Sequence, residues 1–143
     1  MGDYIKIGVG ILIFKDGKVL LTKRKGKLLG LGTYGSVGGH VEYGEAPTEA
    51  LKREAREELG IKLGNLKFLH CYSAMMYGKH YIDIMFTGEI ISGEPKVLEP
   101  DKIESVGWYD PKNLPAPLFD PVRISFEAYN NGQQYFEAWC YEK

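Results

Sequence analysis

The sequence predicts an α+β fold, a mixed β-sheet with two helices packed on it, formed by one domain over residues 1–143. Three features point there. β-rich runs recur between turn residues, one helix near the middle is strongly marked, and 44% of the 143 residues are hydrophobic, enough to fill one core. No internal repeat, low-complexity segment or linker divides the chain.

Tyr4 to Phe14 is β-rich, Asp16-Gly17 is a hairpin-turn dipeptide, and Val19 to Thr22 resumes the pattern, so the first 24 residues read as a hairpin. Residues 25–44 hold seven glycines and little periodicity, the mark of loops whose backbone approaches something closely. Within them only Thr33 to Val37 reads as a short strand. Pro47 suits a first helical position, good helix formers fill Ala46 to Leu59, and Gly60 stands where a left-handed cap belongs. Leu66 to Met76 and His80 to Ile91 form a second hairpin around Tyr77-Gly78-Lys79, followed by a loop from Ser92 to Lys102. Val106 to Tyr109 reads as a short strand, and Pro121 to Asn130 as a second helix stopped by Asn131-Gly132. The tail, Gln133 to Tyr141, suits strand or helix.

Composition narrows the function classes. Eighteen Lys plus Arg against nineteen Asp plus Glu leave a net charge of −1, without the basic excess that drives duplex binding, so no stable nucleic-acid complex is expected. The longest apolar run, Ile7 to Phe14, has eight residues where a spanning helix needs about twenty, so no membrane span is expected. The start Met-Gly-Asp-Tyr-Ile-Lys has no signal architecture, and the expected location is cytoplasmic. Cys71 and Cys140 lack close pairing or metal-ligand spacing and read as buried thiols.

The central helix carries the chemistry. Thr48, Leu51, Ala55 and Leu59 form one stripe at core-facing spacing, while Glu54, Glu57 and Glu58 fall within roughly 100° of one another on a neighbouring face. Like charges at i and i+4, here Glu54 and Glu58, oppose helix formation by a few tenths of a kcal/mol. A divalent cation relieves that repulsion, and Mg²⁺ binds through a few carboxylates while taking other ligands from substrate phosphates. Taken alone, the face equally suits a solvated surface balanced by Arg53 and Arg56.

The wider spacing breaks that tie. From Gly39 the chain runs five residues to Glu45, then seven to Arg53-Glu54-Ala55-Arg56-Glu57-Glu58-Leu59-Gly60-Ile61. Seven fixed positions at typical frequencies of roughly 5–7% coincide by chance on the order of once in 10⁸ windows. This stretch resembles the Nudix box, with Ala55 smaller than the usual aliphatic and Val37 where many members have Pro. The resemblance implies an α/β/α sandwich with a loop-helix-loop catalytic box, and glutamates that hold Mg²⁺ or Mn²⁺ against a diphosphate linkage attacked by water. Glu57 and Glu58 then correspond to metal ligands with the carbonyl of Gly38, and Glu54 to a ligand or the general base. Glu104, or less readily Glu99, matches the downstream carboxylate that serves as base in several members. Glu45 and Arg53 correspond to supporting residues that orient the glutamates, since Arg presents a planar fork to carboxylates.

Beyond the box, Lys23-Arg24-Lys25 with Lys27, and the run from Gly32-Thr33-Tyr34 through Gly38-Gly39-His40, resemble MutT-type nucleoside triphosphate diphosphatases, as do Glu99-Pro100, Glu104 and Trp108-Tyr109. The implied reaction converts a nucleoside triphosphate, modified or oxidised bases included, to monophosphate and diphosphate. Arg24 is the expected phosphate contact, with Gly39 and Tyr34 at the substrate and Phe86, Phe119 and Tyr81 as further candidates for a base pocket; each also suits ordinary packing. Among the rivals, ADP-ribose-type members commonly carry a proline about fifteen residues past the box, where this chain has Ser73 to Tyr77. Dinucleoside polyphosphate hydrolases often carry a tyrosine there, matched by Tyr77. A nucleotide-sensing module without turnover usually loses box glutamates, all present here. The aromatic tail, Tyr135, Phe136, Trp139 and Tyr141, suits sealing of a core edge or a homodimer interface, and dimers are common among similar enzymes.

Overall fold

The computed structural model describes residues 3–25 and 30–140, and the side chains of Trp139 and Cys140 are not among those described. Lys27 and Tyr141, which figure in the sequence reading, and Gly26, one of the seven glycines of residues 25–44, lie outside the described residues. The elements run β1 (Ile5–Lys15), β2 (Lys18–Arg24), β3 (Tyr34–Gly35), β4 (Gly38–His40), α1 (Pro47–Leu59), β5 (Lys62–Met76), β6 (Lys79–Ser92), β7 (Ile103–Tyr109), α2 (Asp120–Asn131) and β8 (Tyr135–Cys140). The mixed sheet and the two helices agree with the predicted class.

The strands follow the order β3-β2-β1-β6-β5-β8, with β4 paired to β1 and β7 to β2. Asp16-Gly17 and Tyr77-Gly78 both take positive φ at two successive residues, the turn geometry whose twist matches antiparallel strands. The first hairpin is nevertheless shorter than the sequence suggests. β1 and β2 pair antiparallel only at Phe14↔Val19 and Lys15↔Lys18. Further from the turn, β1 takes β4 as an antiparallel neighbour and runs parallel to β6 from Ile5↔His80 to Ile13↔Gly88. Gly38 to His40, read as loop, is therefore a strand, because glycine content hides its pairing with Gly8 to Gly10. β5 starts at Lys62 rather than Leu66, and the tail resolves as β8, parallel to β5.

The two sheet faces are covered by different helices. Val9, Ile11 and Ile13 meet Ala50, Leu51, Ala55 and Leu59 of α1. Thr48, placed on that stripe by helical arithmetic, is only partly buried, and Ala50 takes its place. On the opposite face Leu12, Val19 and Leu21 pack with Val122 and Phe126 of α2, and Tyr72, Ala74 and Met85 with Ile124. Phe136 of β8 stacks on Tyr72 at 5.0 Å, so part of the aromatic tail closes this second core. Cys71 is partly buried and its thiol is pushed up by that burial. Among the described residues no helix is long and apolar enough to cross a membrane.

Candidate active site

Helix α1 is defined at both ends by its sequence. Glu49 Oε1 accepts the backbone N–H of Ala46 at 3.2 Å, Pro47 begins the helix, and Gly60 ends it at φ 69°. Packing of Ala55 and Leu59 against β1 and β5 turns the adjacent acidic face toward β4. Gly39 makes that approach feasible, because a Cβ there would sit 2.6 Å from Glu54 Cδ.

Arg53 is the hub of the acidic face. Its Nε and Nη2 donate to the two oxygens of Glu45 at 2.8 and 3.1 Å, a bidentate pair. Its Nη1 donates to Glu54 at 2.6 Å and reaches Glu57 at 3.4 Å, while Nη2 also donates to the His40 carbonyl at 3.2 Å. Glu45 in turn accepts the Glu42 backbone N–H at 3.1 Å, which ties the glycine-rich loop to the helix. The Arg53 guanidinium holds the Glu45 carboxyl below its ordinary value, and these carboxylates raise that of Arg53.

A cavity of about 710 Å³ opens beside this cluster, and Glu54, Glu58 and Glu99 line it. Burial pushes the Glu58 carboxyl up to about 8, reinforced by the charges of Glu54 and Glu99 and opposed by a hydrogen bond from the Gly38 backbone and by Arg24. Burial likewise raises Glu54, against the pull of Arg53. Both carboxyls are thus held toward their protonated forms, chiefly by burial and secondarily by the charge of neighbouring acids. Arg24 also lines the cavity, with its guanidinium carbon 3.9 Å from the Phe119 ring centroid. Burial lowers its pKa, against the opposing influence of Glu58, Tyr77 and Tyr81. Beyond Arg24 the walls turn apolar, with Met76, Tyr81 and Met85, and with Tyr77 stacked on Phe119 at 5.7 Å.

The NUDIX domain family model matches residues 5–129. The chain belongs to the Nudix family. It is accordingly a Nudix hydrolase acting on pyrophosphate bonds. A Methanocaldococcus jannaschii protein described as an ADP-ribose pyrophosphatase is 35% identical over 130 residues, covering 88% of this chain and 75% of that protein. The NAD-capped RNA hydrolase NudC of Pseudomonas entomophila is 33% identical over 110 residues, 73% of this chain but only 36% of the relative. The chain thus spans about a third of that longer protein. The crystal structure of a MutT NUDIX hydrolase from Burkholderia pseudomallei superposes with a TM-score of 0.83 at 36% identity, covering 87% of this chain and 98% of that one.

Within this Nudix site the expected residues divide. Gly38, Gly39, Arg53, Glu54, Glu58 and Arg24 come together at the cavity, and Glu45 stands behind Arg53. Glu57 lies on the exposed shoulder of α1, outside the lining. Glu104 is away from the cavity, exposed on β7 and paired with Lys23 at 3.3 Å, because β7 flanks β2 on the side opposite β3; Glu99 lines the cavity instead. Tyr34 also falls outside the lining, edge-on to Tyr109 at 5.7 Å, and Phe86 belongs to the α1-side core. Among the described residues no three acidic, His or Cys side chains converge as a ready-made metal cage.

Sequence reasoning missed Asp83. Its carboxylate lines the cavity, is buried, accepts the Tyr72 hydroxyl at 2.8 Å, and is pushed by burial up to about 6. The available signal was an acid at the inward phase of an alternating strand, between Tyr81 and Met85.

Proposed function

We propose that this Nudix hydrolase is a divalent-cation-dependent diphosphatase converting a nucleoside triphosphate, with a plain or modified base, to monophosphate and diphosphate. The observation supporting it is one cavity that joins the Glu54/Glu58 cluster, the buried guanidinium of Arg24 and an aromatic, apolar recess. A nucleotide has the same three parts: a reacting anhydride, further phosphates and a base.

Glu54 and Glu58 fit a hard cation by their chemistry, since each is a partly buried carboxylate raised by burial and by neighbouring acids. With Glu57 and the Gly38 carbonyl they would hold Mg²⁺ or Mn²⁺, which supplies charge neutralisation and acidifies water when bound. Arg53 fixes the rotamer of Glu54 through its pairing with Glu45. Glu54, or Glu99 in the same cavity lining, takes the proton of the attacking water, and burial raises the Glu54 carboxyl, which strengthens it as a base. Arg24 binds phosphate oxygens away from the cleaved bond, and Phe119 against its face keeps the guanidinium in place.

The test compares Arg24→Ala with wild type on triphosphates and on ADP-ribose. Loss of a charge-assisted contact predicts at least a tenfold drop in kcat/KM on triphosphates and a smaller one on ADP-ribose. Equal losses would remove Arg24 from phosphate recognition. The M. jannaschii relative favours a second reading, hydrolysis of ADP-ribose. Faster turnover of ADP-ribose than of every triphosphate would establish that reading instead.

A further inference from the structure

We infer that Asp83 is a base-reading residue, a fixed double acceptor that selects a nucleobase presenting two adjacent N–H donors, as the amide and amino groups of a guanine-type base do. The inference deepens the nucleotide reading above and rests on it for the presence of a base.

Asp83 sits at the centre of a register row running across five strands: His40 of β4, Gly8 of β1, Asp83 of β6, Tyr72 of β5 and Phe136 of β8. Each neighbour limits the carboxylate in a different way. The Tyr72 hydroxyl donates to Oδ2 at 2.8 Å and is itself stacked on Phe136, so the carboxylate plane is held from the β5 side. On the other side stands Gly8, where a Cβ would overlap Oδ1. The bare backbone of β1 is therefore what leaves room for Oδ1 where Asp83 lines the cavity. One register step along, Gly10 plays the same part beside Met85, so the floor between β4 and β6 carries no side chains from β1 at these two positions.

The surroundings suit a flat aromatic ligand. Tyr81 and Met85 flank Asp83 on the same face of β6, and the stacked pair of Tyr77 and Phe119 stands in the same cavity. The α1 cluster lies beyond β4, and β4 and β6 are separated by two strand spacings, roughly 10 Å. That distance leaves room for phosphates at one end and a base at the other.

The specificity follows from hydrogen-bond inventory. An ionised carboxylate only accepts, and each oxygen has a second lone-pair direction, so Oδ2 remains usable beside Tyr72. Two coplanar acceptors match the neighbouring amide N–H and amino group of guanine. Hypoxanthine keeps the amide N–H and lacks the amino group. Adenine and cytosine set an amino group beside a lone pair, and that lone pair would face an acceptor, an unfavourable contact in a buried site.

Calorimetric titration of GMP, IMP and AMP at pH 8 reads the base without requiring turnover. GMP is expected to bind wild-type protein at least tenfold tighter than IMP or AMP. In Asp83→Asn one acceptor becomes a donor while Tyr72 keeps a partner, and the advantage of GMP over AMP is expected to fall at least tenfold. AMP binding as tightly as GMP, or an unchanged ranking in Asp83→Asn, would overturn the assignment. The wild-type ranking decides the matter even should the variant not fold. A GMP preference in a protein that hydrolyses no triphosphate would leave base reading standing and remove the triphosphate reaction; triphosphate hydrolysis without that preference would do the reverse.

Discussion

Arg53 makes more of the site than any single glutamate, because one guanidinium fixes Glu45, Glu54 and the His40 carbonyl together. Lysine cannot reproduce a bidentate pair and two further contacts, so Arg53→Lys should lower kcat by about 10- to 100-fold with a smaller change in KM. Steady-state kinetics on a hydrolysed triphosphate check this, and an unchanged kcat would make Arg53 a surface charge. A second prediction concerns His70, fully buried with Nε2 3.1 Å from Ser125 Oγ; among the described residues its Nδ1 has no partner. Burial pushes its pKa down to about 4, below the ordinary 6.5. Between those values the unfolded chain binds the extra proton, so the contribution of His70 is complete above pH 6.5 and is lost as pH falls toward 4. Denaturant titrations should show His70→Gln gaining on wild type by up to about 3 kcal/mol across that window. A pH-independent difference would refute it. Of the box residues that spacing makes legible, Gly39, Arg53, Glu54 and Glu58 come together at the cavity with Glu45 behind Arg53, whereas Glu57 stays on the exposed shoulder of α1. Asp83 is not legible in this way, and Glu99 ranks behind Glu104, because a lone acid in a strand or loop shows its environment only after the chain has folded.

Elements fix how close these groups come. β4 can lie against α1 because Gly39 presents no side chain to Glu54, and Gly38 none to the Val9 carbonyl of β1. Gly39→Ala should therefore push aside a flexible carboxylate, leaving the circular dichroism spectrum unchanged while cutting the rate. Gly38→Ala meets backbone and should lower the melting temperature as well. Equal melting temperatures for the two variants would contradict this distinction. At the far end of α1, Gly60 holds φ 69°, so Gly60→Ala should cost about 1–2 kcal/mol in denaturant titrations. The helix was readable because its caps and its 3.6-residue stripe are local signals. β4 and the parallel partnership of β1 with β6 were not, because register between distant segments leaves no local trace, and glycine-rich strands show no alternation.

Over the whole molecule, the cavity exists because β1 changes partners. Near its turn it pairs with β2; further on β4 takes that side and the parallel strand β6 the other, and Arg24 at the end of β2 is carried over the gap. α1 brings carboxylates to one side of the sheet, and α2 supplies cover near the aromatic recess through Val122 and the preceding Phe119. As proposed, this combination would hydrolyse a nucleoside triphosphate at the Glu54/Glu58 cluster. The most direct measurement is product identity from guanine, adenine and oxidised-guanine triphosphates with Mg²⁺, using Glu58→Gln as control. Monophosphate plus diphosphate is the expected outcome, with the rate at least 100-fold lower in Glu58→Gln. Orthophosphate as the product, undiminished turnover in Glu58→Gln, or nucleotide binding without any turnover would contradict it.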